Sequence, residues 1–102
     1  MALYTEPYDI ADYLDSDEMI AAYLTEAFEA DDPREVIQAL GDVTRARGGV
    51  ERLSRLTGIG AEELSNALSK TGKPEYATIH KVVHALGVKL SATIDPQHPV
   101  AA

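Results

Sequence analysis

The tetrapeptide Thr57-Gly58-Ile59-Gly60 separates two short amphipathic segments, VERLSRL and AEELSNALSK, and this spacing restricts the fold more than any other feature of the chain. Neither segment can hold a helix alone in water, where helices shorter than about 12 residues are marginal. Both must gain their stability by packing on one another and on further helices. Gly58 can take the positive φ that ends the first segment, and Ile59 can plug the angle between the two. Leu53, Ser54, Gly58, Ile59, Leu64 and Ala67 fill the apolar, small and glycine positions of a helix-turn-helix. Two amphipathic helices about a glycine also describe an ordinary helical hairpin, so the segment admits DNA binding without selecting it.

The flanks read as helices as well. Asp15, Ser16 and Glu18 offer cap and first-turn acids to a helix whose apolar stripe is Ile20, Tyr23, Leu24, Ala27 and Phe28. Asp32, Pro33 and Glu35 announce a second helix with Val36, Ile37, Leu40 and Val43 inward, ended by Gly48 and Gly49. Helix three then runs from about Val50 to Thr57, helix four from Ala61 to Lys70, and helix five from Glu75 to Leu86 with Gly87 as its stop. Beyond it VKLSATI alternates, Val88, Leu90, Ala92 and Ile94 against Lys89, Ser91 and Thr93, which is a strand signal. No second strand is present to pair with it. The segment either pairs with its twin across a two-fold axis or lies extended on the helices.

The expected fold is all-α, one compact domain of about five helices, with the C-terminal segment either a short strand or an extended tail. Within it, residues 1–32 form an acidic leader and first helix, 33–94 the helix-turn-helix domain, and 95–102 a tail that frays. A chain of 102 residues without cysteine holds neither disulfides nor thiolate metal sites, which fits a reducing cytoplasm. No run of about 20 apolar residues is present, so no membrane span is expected.

The net charge of −8 hides an asymmetry. Residues 1–42 contain twelve acids and one base, Arg34, whereas residues 43–102 contain eight bases and five acids. The first part repels a polyanion and suits a basic protein; the second can approach DNA if its cations share a face. On a helical wheel, helix four presents Glu62, Ser65, Asn66 and Ser69 opposite its apolar side, with Ala61 at its start. Asn66 has the amide geometry that pairs bidentately with adenine, the serines can bond bases or phosphates, and Glu62 can accept from cytosine. Arg52, Arg55, Lys70, Lys73 and Lys81 are the candidate phosphate contacts. The plainer reading of each is equally simple, since acids in a first helical turn complement the dipole and exposed serines are common.

The alternative to a binding function is catalysis. His80 and His84 stand one turn apart and could share a metal, but no third ligand has a recognisable spacing. No serine sits in a nucleophile elbow and no glycine loop has phosphate-binding spacing. The expectation is a non-enzymatic protein without cofactor or metal.

The stretch ALGDVTRARGGVERLSRLTGIGAEELSNALSKTGKPEYATIHKVVHALGVKLSA resembles the addiction-module antidote family, Hig-type helix-turn-helix antitoxins with a lambda-repressor-like domain. YDIADYLDSDEMIAAYLTEAFEADDP resembles that family's acidic leader, and ALGDVTRARG and KVVHALGVKLS are the most specific blocks. The resemblance implies an antitoxin that neutralises a small basic RelE-like toxin and, as a homodimer, represses its own operon at operator DNA. By position it places Ala61, Glu62, Ser65 and Asn66 on the recognition helix. Five of the six aromatic residues lie in the first 28 positions among most of the acids, a composition suited to capturing a cationic protein. Tyr4, Tyr8, Asp9, Asp12 and Tyr13 are the candidate toxin contacts; Tyr23 and Phe28, on the helical stripe, are expected in the core. A stand-alone helix-turn-helix regulator without a toxin is the other reading.

Overall fold

Side-chain caps set the first two helix starts. In the computed structural model, which describes residues 9–69 and 71–97, the Ser16 hydroxyl accepts from the Met19 N–H at 3.2 Å and opens α1, Asp17–Glu29. Asp32 accepts from the Arg34 N–H at 3.0 Å and opens α2, Pro33–Ala46, with Pro33 at its first position, where a missing N–H costs nothing. Between them Asp31 takes a φ of 61°, a left-handed conformation that Asp tolerates better than most residues. Gly48 and Gly49 both have positive φ and turn the chain directly into α3, Gly49–Thr57. Then come α4, Ala61–Ala67, and α5, Tyr76–Ala85.

One element escapes the sequence reading. A single turn of 3-10 helix, Ile10–Tyr13, precedes α1, and the Asp9 carboxylate caps it by accepting from the Ala11 N–H at 3.1 Å.

All five helices and the leader share one core. Leu14, Ile20, Leu24 and Ala27 meet Ala39, Leu40 and Val43 of α2, with Leu53, Leu64, Val82, Val83 and Leu86 completing it. The two short helices of the glycine segment are thus each held by one fully buried leucine, Leu53 in α3 and Leu64 in α4, which supplies what their length cannot. Val36, Ile59 and Leu68 pack partly buried against that core.

Three expectations need correction. Phe28 is 42% exposed and is not a core residue. At about 100° per residue it stands about 80° round α1 from Ile20, at the edge of the stripe, and in the last turn. The C-terminal segment forms no strand: residues 88–95 carry no regular secondary structure, because the described chain has no other strand to supply a ladder. Finally, α4 stops at Ala67 rather than reaching Lys70, since the Ser69 hydroxyl folds back to donate to the Asn66 carbonyl at 2.8 Å.

The end of α5 was legible in full. Gly87, φ 82°, closes it as the left-handed residue of a Schellman motif, with Gly87 N–H to the His84 carbonyl at 3.0 Å and Val88 N–H to the Val83 carbonyl at 3.1 Å. Val88 packs back on the core.

Candidate nucleic-acid and partner interfaces

Hydrogen bonds lock the turn between α3 and α4 from within. Gly58, φ 79°, donates to the Ser54 carbonyl at 2.8 Å, and the Ser54 hydroxyl donates to the Ile59 carbonyl at 2.5 Å. The Thr57 hydroxyl donates to the Leu53 carbonyl at 2.9 Å and accepts from the Ile59 N–H at 3.1 Å. With every polar side chain of the turn engaged, the two helices keep a fixed angle, as a groove-reading pair requires.

α4 carries the predicted base-reading side chains, and its environment sorts them. Glu62, Ser65 and Asn66 are exposed. Ala61 is half-buried and has only a methyl group to offer. Ser69 lies just past the helix end, half-buried, with its hydroxyl already given to Asn66 and set 3.5 Å from the Thr71 hydroxyl. The exposed residues of the helix are therefore Glu62, Glu63, Ser65 and Asn66.

The candidate phosphate contacts do not form one group. Asn66 and Lys73 line the same shallow cleft between α4 and α5, a cleft that also includes Glu63 and Glu75. Arg55 in α3 and Lys81 in α5 are exposed. Arg52 lies elsewhere: its guanidinium donates to the Arg47 carbonyl at 2.8 Å across Gly48, where it closes the end of α2. Lys70 lies outside the described residues.

Acidic residues gather between α1 and α2. Tyr23, Glu26, Glu29, Glu35 and Gln38 line a groove of about 500 Å³ between α1 and α2, and no Lys or Arg lines it. Beside it sits a network that the sequence did not announce. Asp42, 5% exposed, accepts from the Tyr23 hydroxyl at 2.5 Å and from Arg45 at 2.8 Å. Arg45 also donates to Asp9 at 2.8 Å, which moors the leader to α2. The signal lay in α2 itself, where Asp42 interrupts the apolar side between Ala39 and Val43. Burial, and then the bond to Asp42, push the Tyr23 phenol up to about 12. Arg45, and then the Ala11 N–H, hold the Asp9 carboxyl below the usual carboxylate range.

Asp9 is thus a structural tether, while Asp12 and the 47% exposed Tyr13 remain on the surface of the leader turn. Tyr4 and Tyr8 lie outside the described residues. Among the described residues no helix is long and apolar enough to cross a membrane, and no group of His, Asp or Glu could hold a metal ion. His80 and Tyr76 face each other one turn apart, ring centroids 6.0 Å.

A family model described as probable addiction module antidote protein matches residues 4–94. The chain belongs to this family. The antidote chain is also 42% identical over 82 residues to an uncharacterised protein of Haemophilus influenzae, covering 80% of this chain and 84% of the relative. No solved structure gives a significant match. The family assignment spans both the acidic groove and the α3–α4 pair, so the two surfaces belong to one antidote unit.

Proposed function

We propose that this antidote is the antitoxin of a type II toxin–antitoxin module. It binds and neutralises a small basic RelE-like toxin in the cytoplasm and, as a homodimer, represses its own operon by placing α4 in the major groove of operator DNA. The observation that carries the reading is the acidic groove: Glu26, Glu29 and Glu35 line it and no Lys or Arg does, in a chain of the antidote family. DNA reading rests on less, the exposed Ser65 and Asn66 of α4 and the cation Lys73, in a cleft that also carries Glu63 and Glu75. An acidic groove steers a cationic protein, and an exposed amide on a helix packed against a locked turn suits base reading. A polyanion and a basic protein can then be held at once.

The adjacent reading frame supplies the test. Co-expression with its product is expected to yield a stable complex and to relieve growth arrest by that product, and Glu26→Lys with Glu35→Lys is expected to weaken both. A gel shift on the promoter palindrome is expected to show preference over random DNA. No complex with the neighbouring product removes the antitoxin role; no preference for the palindrome removes the repressor role and leaves toxin capture alone.

A further inference from the structure

Residues 88–95 run without turn or bend from the end of α5 and expose Leu90 at 43% and Ile94 at 83%. From residue 89 to residue 94 no backbone N–H or C=O is paired with any described residue. Next to the segment, the exposed Phe28 lines a surface cleft together with Thr93, Ile94 and Pro96. A run without turn, bend or backbone pairing to the described residues, whose apolar residues alternate, calls for another strand.

We infer that the other strand is the same segment of a second copy of this chain, paired antiparallel about a two-fold axis at Ala92, and that this ribbon is the dimer interface. The proposal takes from the function above only that the chain acts as a homodimer. Self-complementarity in one register carries it. With the axis at Ala92, Lys89 stands opposite Asp95 of the second copy, Ser91 opposite Thr93, and Leu90 opposite Ile94, so charge meets charge and apolar meets apolar. A slip by one residue sets apolar positions against polar ones on both faces. Moving the axis to Ser91 or Thr93 keeps the faces but sets Lys89 against Thr93 or Gln97, and Leu90 against Ala92 or Pro96.

The ends fit too. The next pair outward is Val88 with Pro96; Val88 has spent its N–H on the α5 cap, and Pro96 has none, so the ladder ends where the donors end. Asp95 accepts from the Gln97 N–H at 2.9 Å, which turns the chain away just beyond the last pair. On the apolar face the two copies of Leu90 and Ile94 meet beside Phe28, which gives that ring the cover it lacks in the single chain.

The test is a charge exchange in the full chain, read by sedimentation equilibrium with circular dichroism as the check on helix content. Lys89→Glu and Asp95→Lys are each expected to raise the dimer dissociation constant by about tenfold, because like charges then face each other twice per dimer. The double variant is expected to recover the dimer. A double variant as weak as the single ones overturns the register. A dimer that survives both single changes and Ile94→Lys overturns the ribbon but leaves the homodimer of the proposed function standing. A wild-type chain that stays monomeric overturns both, and if Ile94→Lys then abolishes capture of the neighbouring basic protein, the segment serves that protein instead.

Discussion

The Tyr23 hydroxyl donates to one oxygen of Asp42 at 2.5 Å while Arg45 donates to the other at 2.8 Å, so a buried carboxylate is satisfied by one side chain from α1 and one from α2. An ionised group in a core is tolerated only when such partners are present. Here the partners also fix how α1 lies on α2, and the groove that gathers Glu26, Glu29 and Glu35 is the surface consequence.

Tyr23→Phe therefore costs more than a lost surface bond. It leaves one buried oxygen of Asp42 without its donor, for which about 1–3 kcal/mol is expected. Urea unfolding of the variant beside wild type measures it. Because the same bond sets how α1 lies on α2 and Tyr23 itself lines the groove, capture of a basic partner should weaken together with stability.

The same bond predicts an alkaline transition. The phenol ordinarily titrates at 10.0 and is pushed up to about 12 in the folded chain, so folding favours its neutral form. Its contribution is whole below pH 10 and is lost as the pH rises from 10 through 12. Ultraviolet absorbance titration should show a tyrosine step near pH 12, and Tyr23→Phe should remove it.

Asp9 gives the opposite sign. Its carboxyl is held below 3.8 by Arg45 and then by the Ala11 N–H, so the tether is intact above pH 3.8 and is lost as the pH falls through the lower folded value. Amide exchange at Ala11 to Tyr13 should accelerate there before α1 does, because Leu14 is buried and anchors the chain at that point. Asp9→Asn, which keeps a cap acceptor but loses the ion pair with Arg45, should show the faster exchange already at neutral pH.

What the sequence displayed and what it concealed divide by distance along the chain. The Ser16 and Asp32 caps, the Gly58 turn and the Gly87 stop are all local, each decided by residues within about five positions, and each stands where spacing placed it. The Asp9–Arg45 tether spans 36 positions and Tyr23–Asp42 spans 19, and no periodicity encodes such pairings. Phe28 misled because a wheel gives the direction of a side chain and not how far the partner helix extends alongside it. VKLSATI alternates like a strand, but alternation cannot supply the neighbour that makes one.

Gly72 is predicted to be intolerant for a reason that its φ does not show. A Cβ there would lie 2.4 Å from the Ala67 carbonyl oxygen and 2.5 Å from that of Asn66, both backbone atoms at the end of α4. Gly72→Ala must push that end aside, at about 1–3 kcal/mol for overpacking, and should weaken operator binding beyond its effect on stability. Gly60→Ala is the control. Nothing lies within 4 Å of its added Cβ and its φ is −60°, so stability should change by less than about 1 kcal/mol.

On the proposed DNA-binding reading, salt dependence should separate cations that contact phosphate from the one that closes a helix. Arg55→Ala and Lys73→Ala are each expected to lower the slope of log affinity against log salt by about 1, with little change in sequence preference. Arg52 donates to the Arg47 carbonyl at 2.8 Å, away from the cleft shared by Asn66 and Lys73, so Arg52→Ala should leave the slope unchanged and lower stability instead. Asn66→Ala should do neither. With the slope intact, it should erode discrimination at one base pair by about 1–3 kcal/mol, the range for a lost bidentate contact to a base. Filter binding of the four variants across a salt series, on operator and random duplexes, measures both quantities. An Asn66→Ala protein that loses slope rather than discrimination would show α4 lying along the phosphates instead of in the groove.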